Sequence, residues 1–118
     1  MNGYNQLVLS INKCNVKELK SFIYENKTIL KGLNNKSFDI LIYVIEINAP
    51  LNIIKVILHE YKNVNFEIKG NRIPLFLALQ KNNFALADLL IKNNADINYN
   101  DSYGNNILIY LYFNKYLN

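Results

Sequence analysis

The sequence predicts an all-α solenoid of about three and a half helix–turn–helix units that are joined by β-hairpin-like loops. Two observations lead to this fold class. One pattern of apolar and asparagine residues returns after about 33 residues, and each period contains two segments with helical apolar spacing. The chain has 118 residues, of which 51% are hydrophobic. This is enough for one domain with its own core, so we expect a single domain over residues 1–118.

The repeat is clearest where the chain is aligned with itself. The stretch "LLIKNNADIN", residues 89–98, matches "VILHEYKNVN", residues 56–65. The stretch "NRIPLFLAL", residues 71–79, matches "GNNILIYLY", residues 104–112, and "FDILIYVIE", residues 38–46. The apolar positions that this alignment brings together include Ile42, Leu75 and Leu108. The units that it defines are roughly 1–34, 35–67, 68–100 and 101–118.

Each unit is expected to contain a short first helix and a longer second helix. In the third unit the first helix covers 73–80 and the second covers 83–92. Equivalent second helices are expected within 15–29 and from residue 51 onward. In the fourth unit a second helix would start only at residues 115–118. Either the array continues there or the terminal helix caps the stack alone.

The end of the third unit has the residues of a helix stop followed by a turn. Asn94 is expected to end the helix in the left-handed conformation, which asparagine tolerates. Ala95 is expected to pack under the neighbouring unit. The side chains of Asp96 and Asn98 are expected to bond the turn backbone, and Ile97 is expected to enter the core of the next unit.

In this register the chain resembles the ankyrin repeat. Residues 71–100 resemble the family's G-x-T-P-L-H-x-A followed by L-L-x-x-G-A-D-V-N, and "DSYGNN", residues 101–106, resembles its D-x-x-G-x-T hairpin start. The family's threonine is replaced by Ile40, Ile73 and Asn106, and its histidine by Tyr43, Phe76 and Ile109. Those polar groups tie the family's turns together, so apolar contacts are expected to do more of that work here. Tyr61 stands where the family has a helix-ending glycine, so we expect the loop 61–63 to differ from the standard hairpin.

The residue types that carry catalysis are scarce. His59 is the only histidine and Cys14 the only cysteine, and the four glycines are isolated along the chain. These spacings lack a zinc-ligand cluster, a Cys–His nucleophile pair and a phosphate-binding glycine loop. We therefore expect a protein that is not an enzyme, with no cofactor, no metal and no small-molecule substrate.

Charge and hydropathy exclude other classes of partner. The most apolar stretch, residues 38–58, contains Asp39, Glu46 and Lys55, so no membrane span is expected. The net charge is +4, but the lysines are interleaved with acids, so nucleic acid is not the expected partner. A single cysteine and a start without a signal-peptide pattern indicate a cytoplasmic protein, in its own cell or in a host cytoplasm or nucleus.

The resemblance implies a partner protein that contacts the hairpin tips and the exposed side of the first helices, on a concave face. The positions that it assigns to this face are Lys36, Asp39, Lys69, Arg72, Gln80, Lys81, Tyr103, Asn105 and Phe113. Lys69, Arg72 and Lys81 are expected on one strip of it, which predicts a partner with an acidic patch.

Two functions follow from this prediction. The first is a non-enzymatic protein-interaction scaffold, and the frequent use of Asn, Ile, Lys and Tyr, which have AT-rich codons, suits a host-interaction factor of a virus or parasite. The alternative is a small stand-alone inhibitor or immunity protein that neutralises a bacterial toxin. Further repeats in the reading frame would favour the scaffold, and an adjacent toxin gene would favour the inhibitor.

Overall fold

The computed structural model describes residues 3–27 and 34–116, with side chains for 5–27 and 34–112. These residues form seven α-helices and one isolated antiparallel bridge, between Ile68 and Arg72. The all-α class is therefore confirmed. The chain divides into two compact units, Met1–Tyr61 and Lys62–Asn118, each larger than one predicted repeat. They are called the first and the second unit below. The arrangement of the repeats as a single solenoid domain stays a prediction.

The first unit contains two helix pairs. Its helices are α1 (Gly3–Asn12), α2 (Val16–Glu25), α3 (Ile40–Glu46) and α4 (Leu51–Leu58). Within each pair the two helices pack together, and α2 also packs against α4. The side chains with the least exposure are aliphatic and recur at helical spacing, so their burial is the main force that stabilises the unit. They include Leu7, Ile11, Leu19, Ile42, Val44, Ile53 and Ile57.

The second unit contains one complete helix pair and one further helix. Its helices are α5 (Pro74–Gln80), α6 (Phe84–Lys92) and α7 (Ile107–Tyr116), and α5 packs against both of the others. Phe76 of α5 and Tyr110 of α7 stack at a ring-centroid distance of 4.9 Å. Together with Ile73 they form a buried cluster that connects α5 to α7.

Asparagine and aspartate begin most of these helices. The side chains of Asn15, Asp39, Asn83 and Asn106 each accept a hydrogen bond from the backbone N–H three residues later. Such a bond satisfies one of the donors that a helix start leaves unpaired. Helix α5 begins instead with Pro74, whose fixed φ suits the first helical position.

The turn between the two helices of a pair has the same backbone conformation three times. Cys14, Asn48 and Asn82 have φ values of 55°, 58° and 58°, and the spacing from the first to the second equals that from the second to the third. At the second and third turns the residue after the asparagine donates its N–H to the first helix, from Ala49 to Val44 and from Asn83 to Ala78. The helix–turn–helix element therefore recurs with one geometry.

These turns correct the predicted register of the first helices. The sequence alignment applied one period throughout, but the turns at Asn48 and Asn82 are one residue further apart than that period. The second helices keep the predicted period, because the loop after the turn at Asn48 is one residue longer than the loop after the turn at Asn82. Residues 49–50 lie between Asn48 and α4, whereas only Asn83 lies between Asn82 and α6. By position before the turn, Leu41 corresponds to Leu75, so the predicted match of Ile42 with Leu75 is wrong by one residue.

The loop after α6 confirms part of the prediction made for it. Asn94 is left-handed with φ 73°, and Asp96 Oδ1 accepts a hydrogen bond from the Asn98 N–H at 2.8 Å. Ile97 is 56% exposed, so its predicted core position is wrong. The tight turn directs Ile97 outward, and Tyr99 packs against the cluster of Phe76 and Tyr110 instead.

Candidate functional site

A short hairpin in the second unit carries two of the predicted basic residues. Ile68 and Arg72 exchange backbone hydrogen bonds of 2.9 and 3.2 Å. Gly70 and Asn71 turn the chain between them with φ values of 91° and 59°, a conformation that these two residue types tolerate best. The tip of the hairpin therefore presents an exposed Lys69 beside a half-buried Arg72.

The Arg72 side chain also holds this hairpin in shape. Its Nε atom donates a hydrogen bond to the Lys69 carbonyl oxygen at 2.8 Å. A Cβ atom on Gly70 would lie 3.4 Å from the same Nε, so glycine leaves room for the arginine to cross the turn. Arg72 is thus a positioned cation rather than a freely moving one.

A second loop, residues 101–105, presents Tyr103. The buried Asp101 accepts hydrogen bonds on Oδ1 from the backbone N–H groups of Tyr103 and Asn105, at 2.9 and 2.8 Å. Gly104 completes the turn with φ 79°. These bonds fix the backbone of the loop, in which the Tyr103 ring is 78% exposed and Asn105 is half-buried.

Glu67 connects the two loops. Its carboxylate accepts hydrogen bonds from the Ser102 N–H at 2.7 Å and from the Ser102 Oγ at 2.9 Å. The sequence analysis did not predict this contact, which joins positions 35 apart in the chain. The contact keeps the Lys69–Arg72 hairpin and the Tyr103 loop in a defined arrangement within the second unit.

The remaining predicted residues of this unit lie elsewhere. Gln80 and Lys81 are exposed at the C-terminal end of α5, a helix of seven residues that starts after the hairpin. Gln80 Oε1 accepts a hydrogen bond from the Tyr110 hydroxyl at 2.8 Å. The backbone of Phe113 belongs to α7, but its side chain lies outside the described residues.

In the first unit, Lys36 is exposed on a turn that is held by Asn35. The Asn35 Oδ1 accepts hydrogen bonds from the N–H groups of Ser37 and Phe38, at 2.7 and 3.0 Å. An asparagine that bonds the backbone two and three residues later forms such turns readily. Lys36 therefore remains accessible, as the predicted interaction face requires.

Asp39 is not a surface residue, so its prediction as an exposed binding residue is wrong. It is 5% exposed and caps α3, with Oδ1 accepting the Ile42 N–H at 3.0 Å. The error follows from the register shift of one residue, which placed Ile40 rather than Asp39 at the helix start. Burial raises the pKa of the Asp39 carboxyl above its usual value, partly offset by hydrogen bonds from the Ile42 N–H, the Tyr61 hydroxyl and the Leu41 N–H.

The Tyr61 hydroxyl supplies polar contacts at the turn before α3, where apolar contacts were expected to replace the polar groups of the family. Its hydroxyl donates to Asp39 Oδ2 at 2.9 Å and accepts hydrogen bonds from Asn34 Nδ2 and the Leu41 N–H, each at 3.1 Å. Burial, and next the charge of Asp39, raise the pKa of Tyr61 far above its ordinary value, so the hydroxyl stays a donor. The expectation that apolar contacts replace the family's polar turn is therefore corrected for the first unit.

No protein-family model matches this chain, and no curated protein matches it either. The ankyrin resemblance therefore rests on the sequence motifs.

Within 5–27 and 34–112, no three His, Cys, Asp or Glu side chains lie close enough together to hold a metal ion. His59 and Cys14 are exposed on different helix ends. Among the helices of residues 3–27 and 34–116, none has both the length and the apolarity needed to cross a membrane.

Proposed function

We propose that this chain is a non-enzymatic protein-interaction scaffold of the ankyrin-repeat type, with its units stacked as a solenoid. The observation that supports the proposal most strongly is the left-handed turn at Cys14, Asn48 and Asn82, which gives three successive helix pairs one geometry at a fixed spacing. A pair of such short helices cannot bury its apolar face alone, so stacking of neighbouring pairs is the natural way to complete the core.

The proposed partner is a protein with an acidic patch that meets the loops of the second unit. Lys69 and Arg72 share one hairpin tip. The hydrogen bond from Arg72 Nε to the Lys69 carbonyl oxygen fixes the position of the arginine side chain. The carboxylate nearest in sequence, Glu67, accepts hydrogen bonds from Ser102. A preorganised arginine loses less conformational freedom on binding than a flexible lysine does, and its planar group suits a carboxylate.

Tyr103 supplies apolar contact area on the loop that Glu67 joins to this hairpin through Ser102. Its ring is exposed, while its backbone is fixed by Asp101. Tyrosine and arginine are enriched among the residues that contribute most to protein–protein affinity. A cytoplasmic location, in the cell of origin or in a host, is part of this proposal and rests on the single cysteine of the sequence.

The proposal is tested by affinity capture followed by direct binding measurements. The full chain is used as bait, captured proteins are quantified by mass spectrometry, and the affinity of the purified partner is measured by surface plasmon resonance. The variants Lys69→Glu and Tyr103→Ala are expected to weaken binding about tenfold or more, typical of central interface residues. Affinity for the unaltered chain should fall as salt is raised.

The matched control is Lys92→Glu, which makes the same charge change in the second unit on an exposed side chain of α6. It is expected to bind like the unaltered chain. The loops of the second unit would not be the binding surface if Lys92→Glu and Lys69→Glu lost affinity equally. The same conclusion would follow if Lys69→Glu and Tyr103→Ala both bound the partner as tightly as the unaltered chain.

A further inference from the structure

The first unit contains a groove between α2 and α4, with a volume of about 640 Å³. This lies within the range of cavities that bind ligands. The lining runs from Val16, the first residue of α2, to Lys27, two residues beyond its end. On the other side it runs from Asn52 of α4 to Glu60, also two residues beyond the helix end.

The groove has an apolar floor and a cationic rim. Val16, Ile23 and Val56 line it and are buried or half-buried. The exposed lining side chains include three lysines, which are Lys20 of α2, Lys55 of α4 and Lys27 beyond the end of α2. Burial decreases from the aliphatic residues to the lysines, so an occupant would meet apolar surface below and ammonium groups at the edges.

The charge of the rim is not neutralised within the described part of the chain. Lys20, Lys27 and Lys55 form no ion pair with a carboxylate of those residues, and Glu60 is the only acid in the lining. The lysines and Glu60 give the lining a formal net charge of +2. Three cations around a partly desolvated floor favour an anionic occupant, because the protein potential is focused in such a cleft.

The positions along α2 indicate an elongated occupant. Lys20 and Tyr24 follow the spacing i, i+4, which places them on one face of α2, and Lys27 lines the groove two residues beyond the end of that helix. Tyr24 is 80% exposed between the two lysines. Helix α2 has ten residues and is therefore about 15 Å long. A groove of that length accommodates two to three turns of a helical peptide or about four or five extended residues.

We propose that this groove binds an acidic amphipathic segment of a partner protein. Apolar side chains of the segment lie on Val16, Ile23 and Val56, and its carboxylates pair with Lys20, Lys27 and Lys55. The apolar floor favours a peptide over nucleic acid, because a sugar–phosphate backbone offers no apolar side chains to cover it. The groove lies wholly within the first unit, so this inference does not depend on the loops of the second unit or on the repeat assignment.

The test selects peptides against the full chain and uses the groove lysines as the discriminating variable. A display library of random 16-residue peptides is enriched on the unaltered chain and, separately, on Lys20→Glu/Lys55→Glu. Peptides enriched only on the unaltered chain should combine Asp or Glu with apolar residues. By fluorescence anisotropy, the best such peptide should bind the double variant at least tenfold more weakly, and binding should weaken as salt rises.

The matched control is Lys13→Glu/Lys17→Glu, which changes the charge equally at two exposed lysines of the first unit outside the groove. It should bind the peptide within about twofold of the unaltered chain. Val56→Ser should weaken binding without any change in charge. Circular dichroism of each variant verifies its fold.

Three outcomes would overturn the inference. The first is enrichment of the same peptides on the unaltered chain and on Lys20→Glu/Lys55→Glu. The second is enrichment of peptides without acidic residues. The third is tighter binding of a labelled 20-nucleotide single strand than of any selected peptide, lost in the same double variant, which would assign the groove to nucleic acid.

Discussion

The hydroxyl of Tyr61 donates a hydrogen bond of 2.9 Å to Oδ2 of Asp39, the residue that caps α3. The two residues are separated by 22 positions in sequence. The same hydroxyl accepts hydrogen bonds from Asn34 and from the backbone of Leu41. One phenol in the loop after α4 therefore holds the start of α3 and the turn before it, with each donor and acceptor matched.

Removal of this hydroxyl is expected to destabilise the fold. In Tyr61→Phe, a buried carboxylate oxygen, an amide and a backbone N–H lose a partner, at about 1–3 kcal/mol for a group left unsatisfied. The free energy of unfolding in urea should fall by about that amount. Tyr24→Phe removes an equivalent hydroxyl from an exposed ring and should change it by less than about 0.5 kcal/mol. A Tyr61→Phe chain as stable as Tyr24→Phe would contradict the role of the network.

The stability of the chain should depend on the protonation of Asp39. Its pKa in the folded chain is raised above the ordinary value of 3.8, chiefly by burial. A raised carboxyl pKa means that the folded state binds the proton more tightly than the unfolded state does. Its stabilising contribution is therefore complete below 3.8 and is lost as pH rises through the raised folded pKa.

Comparison with Asp39→Asn isolates this effect, because the asparagine does not titrate. The free energy of unfolding of the unaltered chain, minus that of the variant, should be larger at pH 4 than at pH 7. Urea unfolding at several pH values measures it, and carboxyl-carbon NMR should show Asp39 titrating above 3.8. A difference that is constant, or that grows toward pH 7, would show that burial does not dominate.

Substitution of the turn residue Cys14 is expected to stabilise the fold. It has φ 55° in the same turn where the other helix pairs have asparagine, and its side chain is exposed. Left-handed backbone costs most residues about 1–2 kcal/mol, and asparagine less. Cys14→Asn should therefore raise the midpoint of urea unfolding, with a gain of about 0.5–1 kcal/mol. Cys14→Ala removes the thiol without relieving the backbone, so a similar gain there would refute the explanation.

The bond between Glu67 and Ser102 should couple the two loops of the second unit. Hydrogen bonds to a charged group contribute about 1.5–3 kcal/mol when buried, but this pair is exposed, so we expect a coupling energy of about 0.5–1 kcal/mol. A double-mutant cycle with Glu67→Ala and Ser102→Ala measures it by urea unfolding. The cycle Asp88→Ala with Ser102→Ala has no shared contact and should be additive. Additivity in both cycles would show that the two loops are not coupled.

Local patterns were sufficient for much of the fold. Apolar spacing predicted the helices, because a helix repeats its faces every 3.6 residues whatever surrounds it. Asn94 was correctly predicted to be left-handed, since this preference belongs to the residue itself. Lys69, Lys36 and Tyr103 are exposed, as expected of the positions that the resemblance assigns to them.

Two predicted positions were wrong, those of Asp39 and Ile97. The register implied by the resemblance assigns Asp39 to the surface, but the first helix of this pair is one residue out of that register, so Asp39 caps α3 instead. Ile97 was assigned to the core because it is apolar, but the turn from Asp96 to Tyr99 directs it outward. In both positions the residue type was compatible with two environments.

The sequence by itself determined the helical class, the repeating helix pairs and the residues that can end or turn them, because these depend on local backbone and side-chain preferences. Only the tertiary structure decided which polar groups are used internally. Tyr61 donates a hydrogen bond to Asp39, Glu67 accepts one from Ser102, and the Arg72 side chain donates one to the Lys69 carbonyl oxygen of its own hairpin. These choices depend on whether a hydrogen-bond partner lies within about 3 Å. The first two of those partners are 22 and 35 positions away along the chain.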